Sequence, residues 1–173
     1  MAKVMIIDTN IMCVWLKVPG KDYAGKNNEW DYQKVSAHIN DEVSRGTKLC
    51  LPMTSIIETG NHIAHVNGNK VPSADALQNM IIKSANGDTP WLVLDQQNAI
   101  WQEEKLAEMV KNWNAEVKLK EHALGDAIIV EIAKYYASNF EIEIFTGDAL
   151  LKEYERKIMG QKKKKKVRRN RNK

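Results

Sequence analysis

The chain has 173 residues, 43% of them hydrophobic and 28% charged, with 9 Gly, 4 Pro and 2 Cys. That length suggests one domain with a sizeable core, and the composition excludes collagenous, mucin-like, wholly disordered and disulfide-scaffold chains. The longest apolar run, Ile11 to Leu16, is far short of the ~18 residues that a membrane-spanning helix needs. No stretch near the N-terminus has the length of a secretory signal core, so a cytoplasmic location with Cys13 and Cys50 reduced is expected, and no membrane partner.

The net charge of +4 hides an asymmetry. Residues 162–173 hold 9 of the 26 Lys and Arg and no acid, which leaves 17 basic against 22 acidic residues in 1–161, a net of −5. We divide the chain into an acidic globule, 1–158, and a basic, flexible tail, 159–173, that is either disordered or an extension of the last helix. The tail residues Lys162, Lys163, Lys164, Lys165, Lys166, Arg168, Arg169 and Arg171 are candidates for contact with a polyanion, nucleic acid first.

In chain order, Lys3 to Asp8 reads as a short buried strand, with Thr9 or Asn10 capping a helix over Ile11–Leu16. Pro19 and Gly20 open a polar loop to about Asn28. Trp30–Arg45 has helical spacing, Thr47–Leu51 reads as a second strand, and a helix follows from about Thr54 to Val66. Ser73 caps a helix over Ala74–Ala85. Trp91–Leu94 is a third short strand, and 96–112 is helical. Leu124–Ala137 is the strongest helix; Glu141–Phe145 alternates as a strand; a helix continues from Asp148. Strands separated by helices indicate an α/β fold with a mostly parallel sheet.

Four carboxylates stand out by position. Asp8 ends the first strand, and Asp148 follows the last in Thr146-Gly147-Asp148; both fall at the carboxyl edge, where open α/β sheets bind ligands. Asp126 opens the strongest helix, and Glu58 lies in the helix after the second strand, among Ile56, Ile57 and Ile63, which predict burial on several sides. Taken singly, an Asp in a first helical turn is a cap and an Asp after a strand is a turn residue. Together, carboxylates converging on one crevice repel unless a cation neutralises them, and hard oxygen donors favour Mg²⁺ or Mn²⁺. Glu58, His62 and His65 also share a helical face, but a zinc site lacks a second group of ligands.

Ile6-Ile7-Asp8-Thr9-Asn10, Ser55-Ile56-Ile57-Glu58, Leu124-Gly125-Asp126-Ala127-Ile128 and Phe145-Thr146-Gly147-Asp148 occur in this order. In that order and context the chain resembles the PIN-domain nucleases over about residues 3–156. The resemblance implies a three-layer α/β/α fold around a mostly parallel sheet. It implies a metal-dependent endonuclease that hydrolyses phosphodiester bonds in RNA, occasionally DNA, leaving 5′-phosphate and 3′-hydroxyl ends. Asp8, Glu58, Asp126 and Asp148 would be the catalytic residues, holding one or two Mg²⁺ or Mn²⁺ ions, with Asn10 and Thr146 orienting a carboxylate or a water behind them. The likeness extends to toxin-type ribonucleases, which implies an antitoxin or other protein partner, or a homodimer. The segments 18–30 and 71–89 are longer than in the smallest toxins, and the Lys-rich tail is no part of the pattern.

Two other classes compete. A haloacid-dehalogenase phosphatase also begins with a strand ending in Asp, but it needs a second Asp two residues on, and Asn10 stands there. A non-catalytic nucleic-acid-binding module would bind RNA through its tail without cleaving it.

Overall fold

The computed structural model describes residues 2–117 and 123–171, with side chains described as far as residue 162 and omitted at 95 and 96. Strand β1, Lys3–Ile7, carries four consecutive buried residues. Such a run suits a central parallel strand covered on both faces. Helix α1, Thr9–Trp15, follows at once. A small antiparallel hairpin, β2 (Tyr23–Ala24) and β3 (Trp30–Asp31), leads into α2, Tyr32–Ser44. Then come β4 (Lys48–Cys50), α3 (Met53–His65), α4 (Val71–Asn86), α5 (Glu103–Val117), α6 (Leu124–Ala137), β5 (Glu141–Phe145) and α7 (Ala149–Arg171).

The main sheet has the order β4-β1-β5, with both pairings parallel. Register sets Ile6 beside Cys50 and Ile144, and Ile7 beside Phe145. Asp8 N–H donates to the Phe145 carbonyl at 3.1 Å, so the β1–β5 ladder runs to the first residue past β1.

Side chains alternate across a strand, so β1 feeds two cores. Met5 and Ile7 join Leu49, Leu51 and Phe145 beneath residues of α1, α2, α3 and α4. Val4 and Ile6 join Cys50, Ile142 and Ile144 beneath Met109 of α5, most of the buried face of α6, and Leu151 of α7. Helices therefore cover both faces of the sheet, as expected for an α/β chain. Among the described residues, no helix is long and apolar enough to cross a membrane.

Several expectations are corrected. Trp91–Leu94 is not a strand. It makes one isolated parallel bridge to β4, Leu49 to Trp91, and the chain then coils into a 3-10 turn over Leu94–Ile100. Among the described residues, Leu49 N–H to Pro90 O and Leu92 N–H to Leu49 O are the backbone bonds that tie it to the sheet. The following helix accordingly starts at Glu103 rather than at 96. The loop after Pro19 contains the β2–β3 hairpin. Ser73 is not a cap: α4 begins at Val71 with a proline in its first turn, and Ser73 Oγ–H instead donates to the Lys17 carbonyl at 3.2 Å. The tail needs no such correction, since the backbone of α7 runs as helix to Arg171, one of the two forms expected for it.

Candidate active site

The carboxyl edge of β1 and β5 is built around Asp8. Asp8 is 5% exposed and is itself the N-cap of α1; neither Thr9 nor Asn10 fills that role. Its Oδ1 accepts from Thr9 N–H at 2.7 Å. Its Oδ2 accepts from Asn10 Nδ2 at 2.6 Å and from the Thr146 hydroxyl at 2.6 Å. A carboxylate has about four acceptor positions, so these three bonds leave one on Oδ1.

Asn10 and Thr146 are locked in turn. Gly147 N–H donates to Asn10 Oδ1 at 3.0 Å, which fixes the amide with its nitrogen towards Asp8. Thr146 is buried, and its hydroxyl, while donating to Asp8, accepts from Asp148 N–H at 2.8 Å and Asn10 Nδ2 at 3.3 Å. All hydrogen-bonding capacity of that hydroxyl is used. Asn10 and Thr146 thus both donate to Asp8 Oδ2 and fix its orientation.

Glu58 reaches the same edge from α3. The Thr9 hydroxyl donates to Glu58 Oε2 at 2.7 Å. A β-carbon at Gly125 would collide with Glu58 Oε1, so the bare backbone at the start of α6 is what admits the carboxylate there. Glu58 is exposed, as is Ile57, which corrects the expectation of a helix buried on several sides. Only the stripe Ser55, Thr59 and Ile63 is buried, because α3 packs by one face. His62 is half-buried on the same helix, and His65 is exposed with Nδ1 at 2.8 Å from the Asn61 carbonyl.

Asp126 is half-buried in the first turn of α6. The Asp8 carboxyl is raised from its ordinary range to about 6. Burial is the largest cause; hydrogen bonds from Thr146 and Thr9 oppose it, and the negative charges of Asp126 and Glu58 add to it. Carboxylates on α3 and α6 therefore both bear on Asp8 at this edge. Asp148 is near by chain but used differently. It is exposed, and its Oδ1 accepts from Leu150 N–H at 2.6 Å and Leu151 N–H at 3.1 Å, capping α7. Among the described residues, no three His, Cys, Asp or Glu side chains form a ready-made metal group.

Three contributors were not foreseen: Thr9, which bridges Asp8 and Glu58; Gly125, which makes room for Glu58; and the β2–β3 hairpin beside Asp148. The legible signal for the second was a glycine directly before Asp126. Of the tail candidates, Lys162 is described, its Nζ donating to the Phe140 carbonyl at 2.5 Å. Lys163, Lys164, Lys165, Lys166, Arg168, Arg169 and Arg171 lie outside the described side chains.

No protein-family model, curated protein or solved structure matches this chain.

Proposed function

We propose that this protein is a divalent-metal-dependent endoribonuclease with a PIN-like fold, working in the cytoplasm. The observation that carries the reading is the meeting of carboxylates at the carboxyl edge of a parallel sheet: Thr9 bridges Asp8 to Glu58, and Glu58 Oε1 lies against Gly125, the residue before Asp126. A buried carboxylate with two like charges acting on it is disfavoured unless protonated or paired with a cation. The donors are all hard oxygens, which fits Mg²⁺ or Mn²⁺. Asp8 through its remaining Oδ1 position, Glu58 and Asp126 would hold the ion. When bound, such an ion lowers the pKa of a coordinated water and offsets charge that develops on phosphate.

The chain's own groups do the positioning. Asn10 and Thr146 hold Asp8 in one rotamer by donating to the same oxygen, and Thr9 ties Glu58 to that frame. Asp8 is buried, which strips its carboxylate of most of its water. Asp148 acts through its main chain, as its N–H fixes the Thr146 hydroxyl. Free, buried Cys13 and Cys50 fit a reducing compartment.

The test is cleavage of end-labelled RNA by the purified full chain with Mn²⁺ or Mg²⁺, against excess EDTA and against Asp8→Asn and Asp126→Asn. Loss of cleavage by orders of magnitude in each control is expected. Full cleavage in EDTA, or by the double variant, overturns it. One observation favours a second reading, a non-catalytic nucleic-acid-binding module: the Asp148 carboxylate is spent on capping α7. That module would bind RNA and never cut it. Cutting of DNA in preference to RNA would identify a DNA-directed nuclease.

A further inference from the structure

A second feature lies against the carboxylate edge. The β2–β3 hairpin folds over Thr146–Asp148 in direct backbone contact. A β-carbon on Gly147 would fall on Gly25 N and 2.7 Å from Gly25 Cα. The hairpin is anchored from below as well. Ala24 is buried, and the Trp30 ring meets Phe145, the residue before Thr146, edge-on at 4.8 Å between centroids.

The connection between the two strands is held in an uncommon shape. Gly25, Asn27 and Asn28 all have positive φ, at 82°, 55° and 56°. Glycine accepts this freely and asparagine tolerates it, but two consecutive left-handed non-glycine residues are uncommon and persist only where their surroundings hold them. Between this turn and the start of α7 lies a pocket of about 480 Å³, lined by Asn10, Gly25, Lys26, Gly147, Asp148 and the first turn of α7. Asn10 is a shared wall, since its amide nitrogen is the group that holds Asp8 Oδ2. Lys26 is exposed at the rim and makes no ion pair among the described residues, even though Asp148 lines the same pocket. The Asp148 carboxylate is already compensated by two amides of α7.

We propose that this pocket receives a backbone phosphate of a single-stranded nucleic acid, with the Lys26 ammonium as its counter-charge. The hairpin would lead the strand past Asn10 and across Asp8, Glu58 and Asp126. A globule with a net charge of −5 outside its tail needs a fixed cation near its carboxylates to hold a polyanion there. Lys26 supplies it on a turn whose backbone is braced against Gly147. A phosphate contact carries no base preference. This deepens the nuclease reading and rests on it for the identity of the strand.

The test separates binding from cutting. Labelled 12-nucleotide single strands of RNA and DNA are titrated into the full-length Asp126→Asn protein at about 0.2 M salt, where the tail is partly screened. Lys26→Ala should weaken binding about fivefold and lower the slope of log K against log salt by about 0.7, one phosphate's share. Lys26→Arg should restore both. With Asp126 intact, Lys26→Ala should raise KM by a similar factor and leave kcat within about twofold. Equal affinity and slope in Lys26→Ala overturn the proposal. So does a loss that Lys26→Arg fails to rescue, or one confined to a single base sequence. If the unsubstituted chain cuts nothing while Lys26→Ala still loses affinity and slope, the pocket stands and the nuclease reading falls.

Discussion

Glu58 on α3 and Gly125 on α6 fit each other: Glu58 Oε1 occupies the space a side chain at 125 would take. Gly125 has no positive φ, so its backbone does not demand glycine, and alanine is the better helix former by up to about 1 kcal/mol. Glu58 is the far end of an exposed, flexible side chain and can swing away without disturbing the core. Gly125→Ala should therefore keep or slightly raise the melting temperature while reducing metal-dependent cleavage by about 10–100-fold, as a misplaced ligand would. Unchanged cleavage with an unchanged melting temperature would remove Glu58 from the site.

Asp8 makes the metal-free protein sensitive to pH. Its carboxyl titrates near 3.8 when unfolded and about 6 when folded. The folded state thus binds the proton more tightly. The stability this contributes is fully present below the unfolded value and is lost as pH rises through about 6. At about 1.36 kcal/mol per unit, the loss is roughly 3 kcal/mol between pH 4 and 7. Asp8→Asn removes this dependence. The variant carries its own cost, because its amide N–H₂ would face the donating Asn10 amide, so the absolute difference between the proteins is not the readout. The change in that difference with pH is. Urea unfolding in EDTA should show it moving by about 3 kcal/mol in favour of Asn across this range. A constant difference would mean Asp8 keeps its ordinary pKa.

A cation should reverse that slope. An ion that binds only the folded, ionised site adds RT ln(1 + [L]/Kd), about 2.7 kcal/mol at a hundredfold excess over Kd. Millimolar Mn²⁺ at pH 7.5 should raise the melting temperature of the unsubstituted protein clearly and that of Asp8→Asn much less. Equal shifts in the two proteins would put the ion elsewhere.

The opposite end of the sheet carries a charge network of another kind. Lys3 Nζ lies 2.8 Å from Glu42 Oε2 and 2.6 Å from Glu143 Oε2, while His38 Nε2 lies 2.8 Å from Glu143 Oε1. Burial would raise the Glu143 carboxyl, but hydrogen bonds from Lys3 and His38 outweigh it and hold it below the ordinary value; Glu42 is lowered in the same way by Lys3 and Thr47. The contribution of these two carboxylates is present above the ordinary Glu pKa and lost as pH falls through their folded values. Burial would lower the Lys3 ammonium, yet its bonds to Glu143 and Glu42 raise it, so its share persists until strongly alkaline pH. Lys3→Met leaves two carboxylates without their shared cation. It should cost roughly 2–4 kcal/mol at pH 7 and less near pH 4, measured by urea unfolding. Cleavage below the melting temperature should survive, since Lys3 begins the strand that ends beside Asp8.

Much of this architecture is legible in the sequence where burial is complete. The first strand is a buried apolar run, Glu141–Phe145 alternates, and Leu124–Ala137 is a largely apolar helix, and the structure gives all three nearly the predicted bounds. What escapes is whatever depends on partners distant in sequence. Strands of two residues, Tyr23–Ala24 and Trp30–Asp31, have no periodicity to read. Trp91 looks like a strand residue because it is buried and bridged to Leu49, yet its own N–H turns to the Asp88 carbonyl and its neighbours Pro90 and Leu92 make the bonds to the sheet. The four acidic positions can be chosen from spacing, but spacing does not reveal that Asp148 turns to α7 or that Glu58 is exposed. Both follow from which amides and which glycine stand next to them in three dimensions.

The basic tail is held to the globule at its first lysine. Lys162 Nζ caps the Phe140 carbonyl just before β5, so truncation there would mix a packing loss with a charge loss. Truncation after Lys162 avoids that. It removes eight basic residues, no acid and one apolar residue, Val167. Charges of this density attract nucleic acid without reading its sequence, and each phosphate they neutralise steepens the fall of log K with log salt by about 0.7 on a single strand. The shortened chain should keep its melting temperature, bind single-stranded RNA more weakly at low salt, and do so with a flatter salt slope. Losses should be similar across unrelated sequences. Turnover at saturating RNA should change little, because the carboxylate edge is intact and only capture is affected. Lys26 should then account for a larger share of what salt dependence remains, so that Lys26→Ala in the shortened chain produces a greater relative loss than in the full chain. If truncation leaves affinity and slope unaltered, the basic segment has no part in binding, and the carboxylate edge must attract its substrate without it.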